Sequence, residues 1–155
     1  MYTKNEIRQL WIPDFTFKPK PFFIGFILIS SLLLLFSYFF PFLFVTSFPL
    51  WWLSLLFIVG QPLAEEYVFR HLLQKIIFLK LLPSKLNFKP SKAYSFGVII
   101  VTSLFFVAIH SKTNVFLFIW VFIASLIYGF SYYYSDSLTN SWLLHATNNF
   151  LGFAL

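Results

Sequence analysis

Long apolar stretches, separated by short polar segments, run through most of the chain. No Asp, Glu, Lys or Arg occurs between Pro21 and Ala64, and further uncharged stretches cover 93–109, 113–135 and 137–155. A helix built from the 44 residues of the first stretch would be about 66 Å long, whereas the hydrocarbon core of a bilayer is about 30 Å thick. The first stretch therefore predicts two membrane spans rather than one.

Two prolines mark the predicted reversal between these spans. Pro41 and Pro49 cannot donate backbone hydrogen bonds and tend to end helices, so we expect one span at about 22–40 and a second that starts near Leu50. The remaining stretches bring the total to about five helices, and no alternation typical of strands competes with this pattern. The sequence thus predicts an all-α, polytopic transmembrane helical bundle.

The composition supports a membrane location. Hydrophobic residues make up 59% of the chain and charged residues only 10%, while soluble domains carry about 25% charged residues. The net charge of +6 comes from basic residues that lie between apolar blocks. They lack the aromatic interleaving of a nucleic-acid surface, so the predicted partner is the lipid bilayer and not a nucleic acid. Because the chain has no cysteine, disulfides, thiolate metal sites and thiol nucleophiles are excluded.

Basic residues flank the first two predicted spans on one side. Nine of the 11 basic residues fall within 4–20, before the first span, or 75–92, after the second, and only Arg70 and Lys112 lie elsewhere. By the positive-inside rule both groups are cytoplasmic. We therefore predict a multi-pass protein of the cell membrane with a cytoplasmic N-terminal segment, 1–20, and a single transmembrane domain, 21–155. The first span is expected to remain as an anchor, because no small-residue cleavage site follows it.

The segment 62–70 places three charged residues at the end of the second apolar stretch. Glu66 and Arg70 are four residues apart, so on a helix they share a face and are expected to form an ion pair. Glu65 is turned about 100° away and has no obvious local partner, which suits a carboxylate that acts as a general base. The alternative is a charged helix end that faces the cytoplasm.

Two further polar clusters interrupt the apolar helices. His110 closes the third predicted span, and His145 and Asn149 lie four residues apart on one face of the last span, with Asn148 beside them. Polar and ionisable groups within a span are costly and need partners, so they mark candidate functional sites. The alternatives are a structural histidine at 110 and hydrogen bonding between helices in the last span.

These three clusters resemble the motifs EExxxR, FxxxH and HxxxN/D of the CAAX-protease and bacteriocin-processing (CPBP, or Abi) family of intramembrane proteases. In this sequence the matching segments are Glu65–Arg70, Phe106–His110 and His145–Asn149, and they occur in that order. Gly129 and the turn at 135–138 also resemble the family pattern. The similarity therefore covers roughly residues 50–152, which form the motif-bearing core.

The resemblance implies a helical membrane bundle that hydrolyses a peptide bond in a membrane-associated, prenylated or leader-type peptide or protein. By resemblance, Glu65 would activate water with the assistance of His110, and His145 with Asn149 would stabilise the oxyanion. The residues that would support the site are Glu66, Arg70 and Phe106.

The chain departs from the family pattern in two respects. Family members usually have glycine after the motif arginine, where this chain has His71, and most have more than five spans. The sequence therefore predicts a reduced CPBP-type core. His71 has two interpretations: a titratable group near the site, or a solvated histidine at a cytoplasmic helix end, which is the more common case and the one expected here.

Two mechanisms fit the candidate residues. In the first, Glu65 is the general base and no cofactor is needed. In the second, Glu65, His110 and His145 ligate a catalytic Zn²⁺, because two histidines and a carboxylate form a known zinc-ligand set. We favour the metal-free base, since the sequence has no HExxH helix.

Two functions without proteolysis are also compatible with the sequence. A bacteriocin self-immunity or membrane scaffolding protein would use the polar cluster to bind the membrane helix of a partner. A small proton or ion conductor would use Glu65 and the histidines as a relay.

The rise per residue of a helix and the resemblance to the family motifs give opposite expectations for the distance between His110 and His145. If both helices rise straight from the cytoplasm, His110 lies about 26 Å above Ala93 and His145 only about 11 Å above Leu138, so they would not meet. The motifs instead predict that both histidines converge with Glu65 and Asn149 in one cavity among the second, third and fifth helices.

Overall fold

Five long helices make up the described part of the protein. The computed structural model describes residues 10–39, 56–110 and 115–154. The helices are α1, Pro19–Phe39; α2, which runs continuously from Leu56 to Lys85; α3, Lys92–His110; α4, Val115–Ser135; and α5, Leu138–Ala154. Within these residues no strand occurs, so the prediction of an all-helical bundle with about five helices is confirmed. The predicted reversal at Pro41 and Pro49 lies outside the described residues.

Helix α2 changes its winding along its length. It is π-helical over Leu56–Gly60, α-helical over Gln61–Glu66, π-helical over Tyr67–Leu81 and α-helical over Leu82–Lys85. The residues at the junctions keep right-handed helical dihedral angles, so the axis is not interrupted. Each π-helical stretch ends two residues before a proline, Pro62 or Pro83. Because a proline ring clashes with the carbonyl of the preceding turn in a regular α-helix, the wider π turn lets α2 continue past both prolines.

The segment before α1 is docked on the turn between α4 and α5. The backbone N–H of Leu138 donates to the carbonyl of Asp14 at 2.7 Å. The Asn140 side chain accepts from the backbone N–H of Lys18 at 2.9 Å and donates to the Lys18 carbonyl at 2.6 Å. Helix α1 then starts at Pro19, in the first turn of a helix, where a missing N–H costs nothing. The described part of the predicted 1–20 segment is therefore a structural contact of α5.

The helices pack around α4. Helices α1, α3 and α5 all lie against it, and α2 packs against α3 and α5. Between α1, α4 and α5 lies an apolar cluster formed by Ile29, Leu33, Trp120, Ala124, Tyr128 and Leu144. This arrangement leaves the polar faces of α2 and α5 turned towards each other.

Besides its apolar core, the bundle buries many polar side chains and exposes many large apolar ones. Its fully buried side chains include Glu66, Arg70, His71, Gln74 and Thr102, while large apolar side chains on α1, α3 and α4 are exposed. Helices α3 and α4 are each long and apolar enough to cross a membrane, and α1 contributes a shorter apolar stretch, Pro19–Leu35. Such a distribution suits a helical bundle surrounded by lipid, where polar groups must find partners inside the protein.

Candidate active site

A cavity of about 250 Å³ lies between α2, α3, α4 and α5. All four residues predicted to carry the chemistry line it: Glu65, His110, His145 and Asn149. The other lining side chains are Phe57, Gln61, Phe106, Trp120, Val121, Ala124, Tyr128 and Asn148. The structure therefore brings the three sequence motifs to one place.

The two carboxylate oxygens of Glu65 have different surroundings. Oε1 accepts a hydrogen bond from Gln61 Nε2 at 2.5 Å and lies 3.1 Å from His110 Nε2. Oε2 is buried and has no hydrogen-bond partner, and the nearby His145 Nε2 is 3.7 Å away. The expectation that Glu65 lacks a local partner is wrong, because Gln61 stands one helical turn before it. The two donors hold Oε1, and Oε2 remains the oxygen with free lone pairs.

His110 makes contacts through both ring nitrogens. Its Nδ1 lies 2.7 Å from the carbonyl oxygen of Phe106, one turn earlier in α3, and its Nε2 faces Glu65 Oε1. A carbonyl oxygen can only accept, so Nδ1 must carry a proton. With a carboxylate on the other nitrogen, both hydrogen bonds form only when the ring is an imidazolium or Glu65 is protonated. The geometry thus makes His110 and Glu65 a proton-sharing pair.

His145 lies between the two adjacent carboxylates. Its Nδ1 is 3.1 Å from Glu66 Oε1, and its Nε2 faces Glu65 Oε2. The ring stacks on Tyr128, with 4.8 Å between the ring centroids. If the ring is neutral and Nδ1–H donates to Glu66, Nε2 carries no proton and is a hydrogen-bond acceptor. It then faces Glu65 Oε2, which is also an acceptor. A water molecule that donates to both atoms would satisfy this pair.

The predicted ion pair between Glu66 and Arg70 is present. Glu66 Oε2 lies 3.3 Å from Arg70 Nε, and both side chains are fully buried. Arg70 also donates to the carbonyl and the hydroxyl of Ser125 on α4, at 2.9 and 2.5 Å. Glu66 therefore joins Arg70 on one side to His145 on the other, and fixes the ring orientation of that histidine.

Phe106 is the apolar partner shared by the charged groups. Its ring stacks on His110 at 4.2 Å and meets the edge of His145 at 5.6 Å. The Arg70 guanidinium lies 5.6 Å from the same ring, within the range of a cation–π contact. Phe106 is thereby in contact with one residue of each motif: Arg70, His110 and His145.

Gly129 on α4 lies close to Arg70 and Gln74 on α2. A Cβ atom at this position would lie 2.8 Å from Ile99 Cγ2, 3.2 Å from Gln74 Oε1 and 3.3 Å from Arg70 Nη1. The Gly129 carbonyl also accepts a hydrogen bond from Gln74 Nε2 at 3.1 Å. The absence of a side chain lets α4 approach α2 and keeps Arg70 in place.

Asn149 reaches the cavity from α5 and also contacts α2. Its Nδ2 donates to the carbonyl of Phe57 at 3.4 Å, and about two turns earlier in α5 Trp142 Nε1 donates to the carbonyl of Val59 at 2.9 Å. Pro62 has no backbone N–H to donate within this π-helical turn. The side chains of Trp142 and Asn149 donate to carbonyls of the turn. An amide group carries two N–H donors, so Asn149 retains one for a ligand in the cavity.

The expected mismatch in depth between the motif histidines does not occur. The His110 ring folds back along α3 onto Phe106, and the Phe106 ring touches His145. Side chains on a helix point towards its N-terminus, which lowers the His110 ring by about one turn. The Glu65 carboxylate, with one oxygen near each histidine, closes the remaining gap.

His71 is not solvated, contrary to its sequence-based expectation. It is fully buried, with Nδ1 3.0 Å from the Tyr132 hydroxyl. Its ring lies 5.4 Å from that of Tyr67. The reason is that α2 remains inside the bundle beyond the motif arginine, so this histidine faces α4 rather than water.

The geometry gives the zinc alternative no ligand set. Among the described residues no group of three His, Asp or Glu side chains is arranged to hold a metal ion. The Nε2 atoms of His110 and His145 each point at a different oxygen of Glu65, so the three side chains contact one another rather than a common centre. The chemistry below is therefore derived from the side chains alone.

A family model described as type II CAAX prenyl endopeptidase Rce1-like matches residues 46–151. The match covers about two thirds of the chain and contains all three motifs. The chain belongs to the Rce1-like family. Membership confirms the resemblance to the CPBP proteases, identifies a membrane protein and implies peptidase activity in general. No curated protein and no solved structure matches the chain.

Four residues of this Rce1-like site were not found from the sequence. Gln61 was detectable, since it stands at the i−4 position from Glu65 on the same helix. Ser125, Gln74 and Tyr128 had no such signal, because their partners lie on other helices and helix packing was not known.

Proposed function

We propose that this protein is an intramembrane endopeptidase that cleaves a prenylated or otherwise membrane-associated peptide with water activated by Glu65. The observation that carries the proposal is that Glu65 lines the cavity and that its buried Oε2 has no hydrogen-bond partner. An unpartnered carboxylate oxygen in a cavity is costly unless a water or a substrate donates to it.

The attacking water fits between Glu65 and His145. Their facing atoms, Oε2 and Nε2, are 3.7 Å apart, which allows one water oxygen to lie about 2.8 Å from each. Both atoms accept, so the water donates both protons and presents a lone pair to the cavity. With a neutral ring His145 orients the water, and its Nε2 then has no proton to donate to an oxyanion, because the ring proton lies on Nδ1 and faces Glu66. We therefore assign to His145 a different role from the one implied by the family resemblance.

The donor for the developing oxyanion comes from Asn149, which has a second amide N–H beyond the one that binds Phe57. His110 assists Glu65 instead, because its Nδ1–H donates to the Phe106 carbonyl and its Nε2 faces Glu65 Oε1. An amide donor in a water-poor site stabilises the charge of a tetrahedral intermediate.

The reaction balances with Glu65 as the only proton carrier. As the water oxygen bonds to the carbonyl carbon, one of its protons passes to Oε2. When the intermediate collapses, the C–N bond breaks and the same proton passes from Oε2 to the leaving nitrogen. The carboxylate is regenerated, and no covalent enzyme intermediate forms.

The same proposal includes an orientation in the membrane. One end of the bundle is formed by the starts of α1, α3 and α5, and we call it the basic end. The lysines at this end include Lys18, Lys75 and Lys85. The positive-inside rule places the basic end in the cytoplasm. His145 lies about 11 Å from the start of α5, so cleavage would occur in the cytoplasmic half of the bilayer.

The test compares the wild-type protein with Glu65→Gln and with a matched control, Asp136→Asn, which neutralises an exposed acid outside the cavity. Each purified protein is incubated with prenylated and leader-type peptides, with and without EDTA, and products are read by mass spectrometry. We expect cleavage by the wild type and the control, a rate of cleavage by Glu65→Gln that is about 10²- to 10⁴-fold lower, and no effect of EDTA. Loss of cleavage with EDTA would favour the zinc mechanism. A scaffold would cleave nothing, and a conductor would dissipate a pH gradient in liposomes.

A further inference from the structure

A second cavity, of about 560 Å³, opens on the outside of the bundle between α1 and α4. Its walls are mainly apolar, with Ile24 and Leu28 on α1 facing Ile127 and Phe130 on α4. It extends along nine residues of α1, from Lys20 to Leu28, which corresponds to a helical rise of about 12 Å. A volume of this size is typical of sites for small ligands, about 300–1,000 Å³.

The polar groups of this groove are concentrated at the basic end. Lys20, at the start of α1, and Tyr134, at the end of α4, are both exposed. The third is Ser131, which is 95% buried and whose hydroxyl has no hydrogen-bond partner. These ends of α1 and α4 adjoin, since the Lys18 ammonium donates to the Ser135 carbonyl. A cation and two hydroxyls thus lie where the membrane surface is expected, with apolar walls leading inward.

We propose that this groove binds one anionic glycerophospholipid, with its phosphate at Lys20 and Ser131 and an acyl chain along Ile24, Leu28 and Ile127. Among the described residues, Lys20 is the only charged one that lines the groove, and it makes no ion pair with any of them. The acid of the preceding segment, Asp14, pairs instead with Lys18 at 3.6 Å. A cation without a counter-ion at a membrane surface attracts an anionic headgroup, and the Ser131 hydroxyl gains the partner that it lacks.

The groove is separate from the candidate active site. No residue lines both cavities, because Tyr128 and Ala124 turn one face of α4 to the active site while Ile127 and Ser131 turn the other face to the groove. Binding of the lipid is therefore a property of the fold that does not depend on the proposed proteolysis, and the two can be tested apart.

The experiment measures lipid selectivity by native mass spectrometry. The purified full chain in nonionic detergent is mixed with equal amounts of phosphatidylglycerol and phosphatidylcholine that carry the same acyl chains. We expect the wild type to retain phosphatidylglycerol in preference, with one molecule per chain. Lys20→Gln should lower that preference about fivefold, the effect of one lysine near a membrane surface, and Ser131→Val should lower it as well. The matched control, Lys85→Gln, removes an exposed lysine outside the groove and should change nothing.

Three results would overturn the proposal. The first is an equal retention of both lipids by the wild type. The second is an equal loss of preference in Lys20→Gln and Lys85→Gln, which would mean that only the net charge matters. The third is displacement of the bound lipid by a farnesylated peptide in proportion to its concentration, which would make the groove a substrate site.

Discussion

Replacement of Glu66 by glutamine tests the buried ion pair between Glu66 and Arg70 on α2. The substitution keeps the volume of the side chain and an oxygen that can accept from His145 Nδ1, now 3.1 Å away. It removes the anion that lies 3.3 Å from Arg70 Nε. Removal of one partner of a buried ion pair costs about 3–5 kcal/mol, because the other charge stays buried. Since Arg70 keeps both hydrogen bonds to Ser125, we expect a loss near the lower limit, about 3 kcal/mol.

A double-mutant cycle separates this electrostatic cost from a general packing defect. The free energy of unfolding is measured in mixed micelles for the wild type, Glu66→Gln, Arg70→Gln and the double mutant. If the charges compensate each other, the double mutant is more stable than the sum of the single effects by about 1–3 kcal/mol, as found for residues in one polar network.

Additive effects would refute this reasoning. A coupling energy below about 0.5 kcal/mol is the value for distant, independent sites. It would mean that Glu66 and Arg70 are placed close together without a net contribution from their pairing. The yield of folded protein in the membrane fraction serves as the control, because all four proteins must be compared in the same folded state.

Three further predictions follow from the site and its orientation. Gly129→Ala should lower the free energy of unfolding by about 1–3 kcal/mol, the cost of overpacking, because its Cβ would lie 2.8 Å from Ile99 Cγ2. Denaturant titration measures this free energy. An unchanged stability would contradict the close approach of α4 at this position. Gln61→Leu removes one hydrogen bond to the Glu65 carboxylate and should lower kcat roughly tenfold, or about 1.5 kcal/mol, with little change in KM. Steady-state kinetics measure both constants. A roughly tenfold rise in KM with an unchanged kcat would indicate that Gln61 contacts the substrate instead. A Ser84→Cys variant, the only cysteine in its chain, should react with an impermeant thiol reagent only after the cells are permeabilised, and labelling of intact cells would reverse the orientation.

The helices were predictable because the bilayer leaves so few alternatives. An apolar stretch in lipid must form all its backbone hydrogen bonds internally, so the uncharged stretches 93–109 and 113–135 reappear almost unchanged as α3 and α4. The two windings of α2 were not predictable, since the sequence shows the prolines but not how the helix accommodates them.

The ion pair within α2 could be read from spacing, whereas contacts between helices could not. Four residues separate Glu66 from Arg70, and the structure pairs them. The second partner of Glu66, His145, lies 79 residues away in sequence, so no local pattern links the two. The straight-helix arithmetic failed for a related reason, because it placed Cα atoms while the contacts depend on the reach of His110 and Glu65 side chains.

The rate of peptide cleavage by Glu65→Gln, measured in a single turnover, is the most direct test of the proposal that this carboxylate activates water. Glutamine keeps the volume and can still accept from His110, but it cannot take a proton from water. The expected rate is 10²- to 10⁴-fold below that of the wild type, roughly the contribution of general-base catalysis, with an unchanged free energy of unfolding. A rate within about threefold of the wild type, from protein that is equally well folded, would contradict the role of Glu65 as the base, since that loss is far below the range of general-base catalysis.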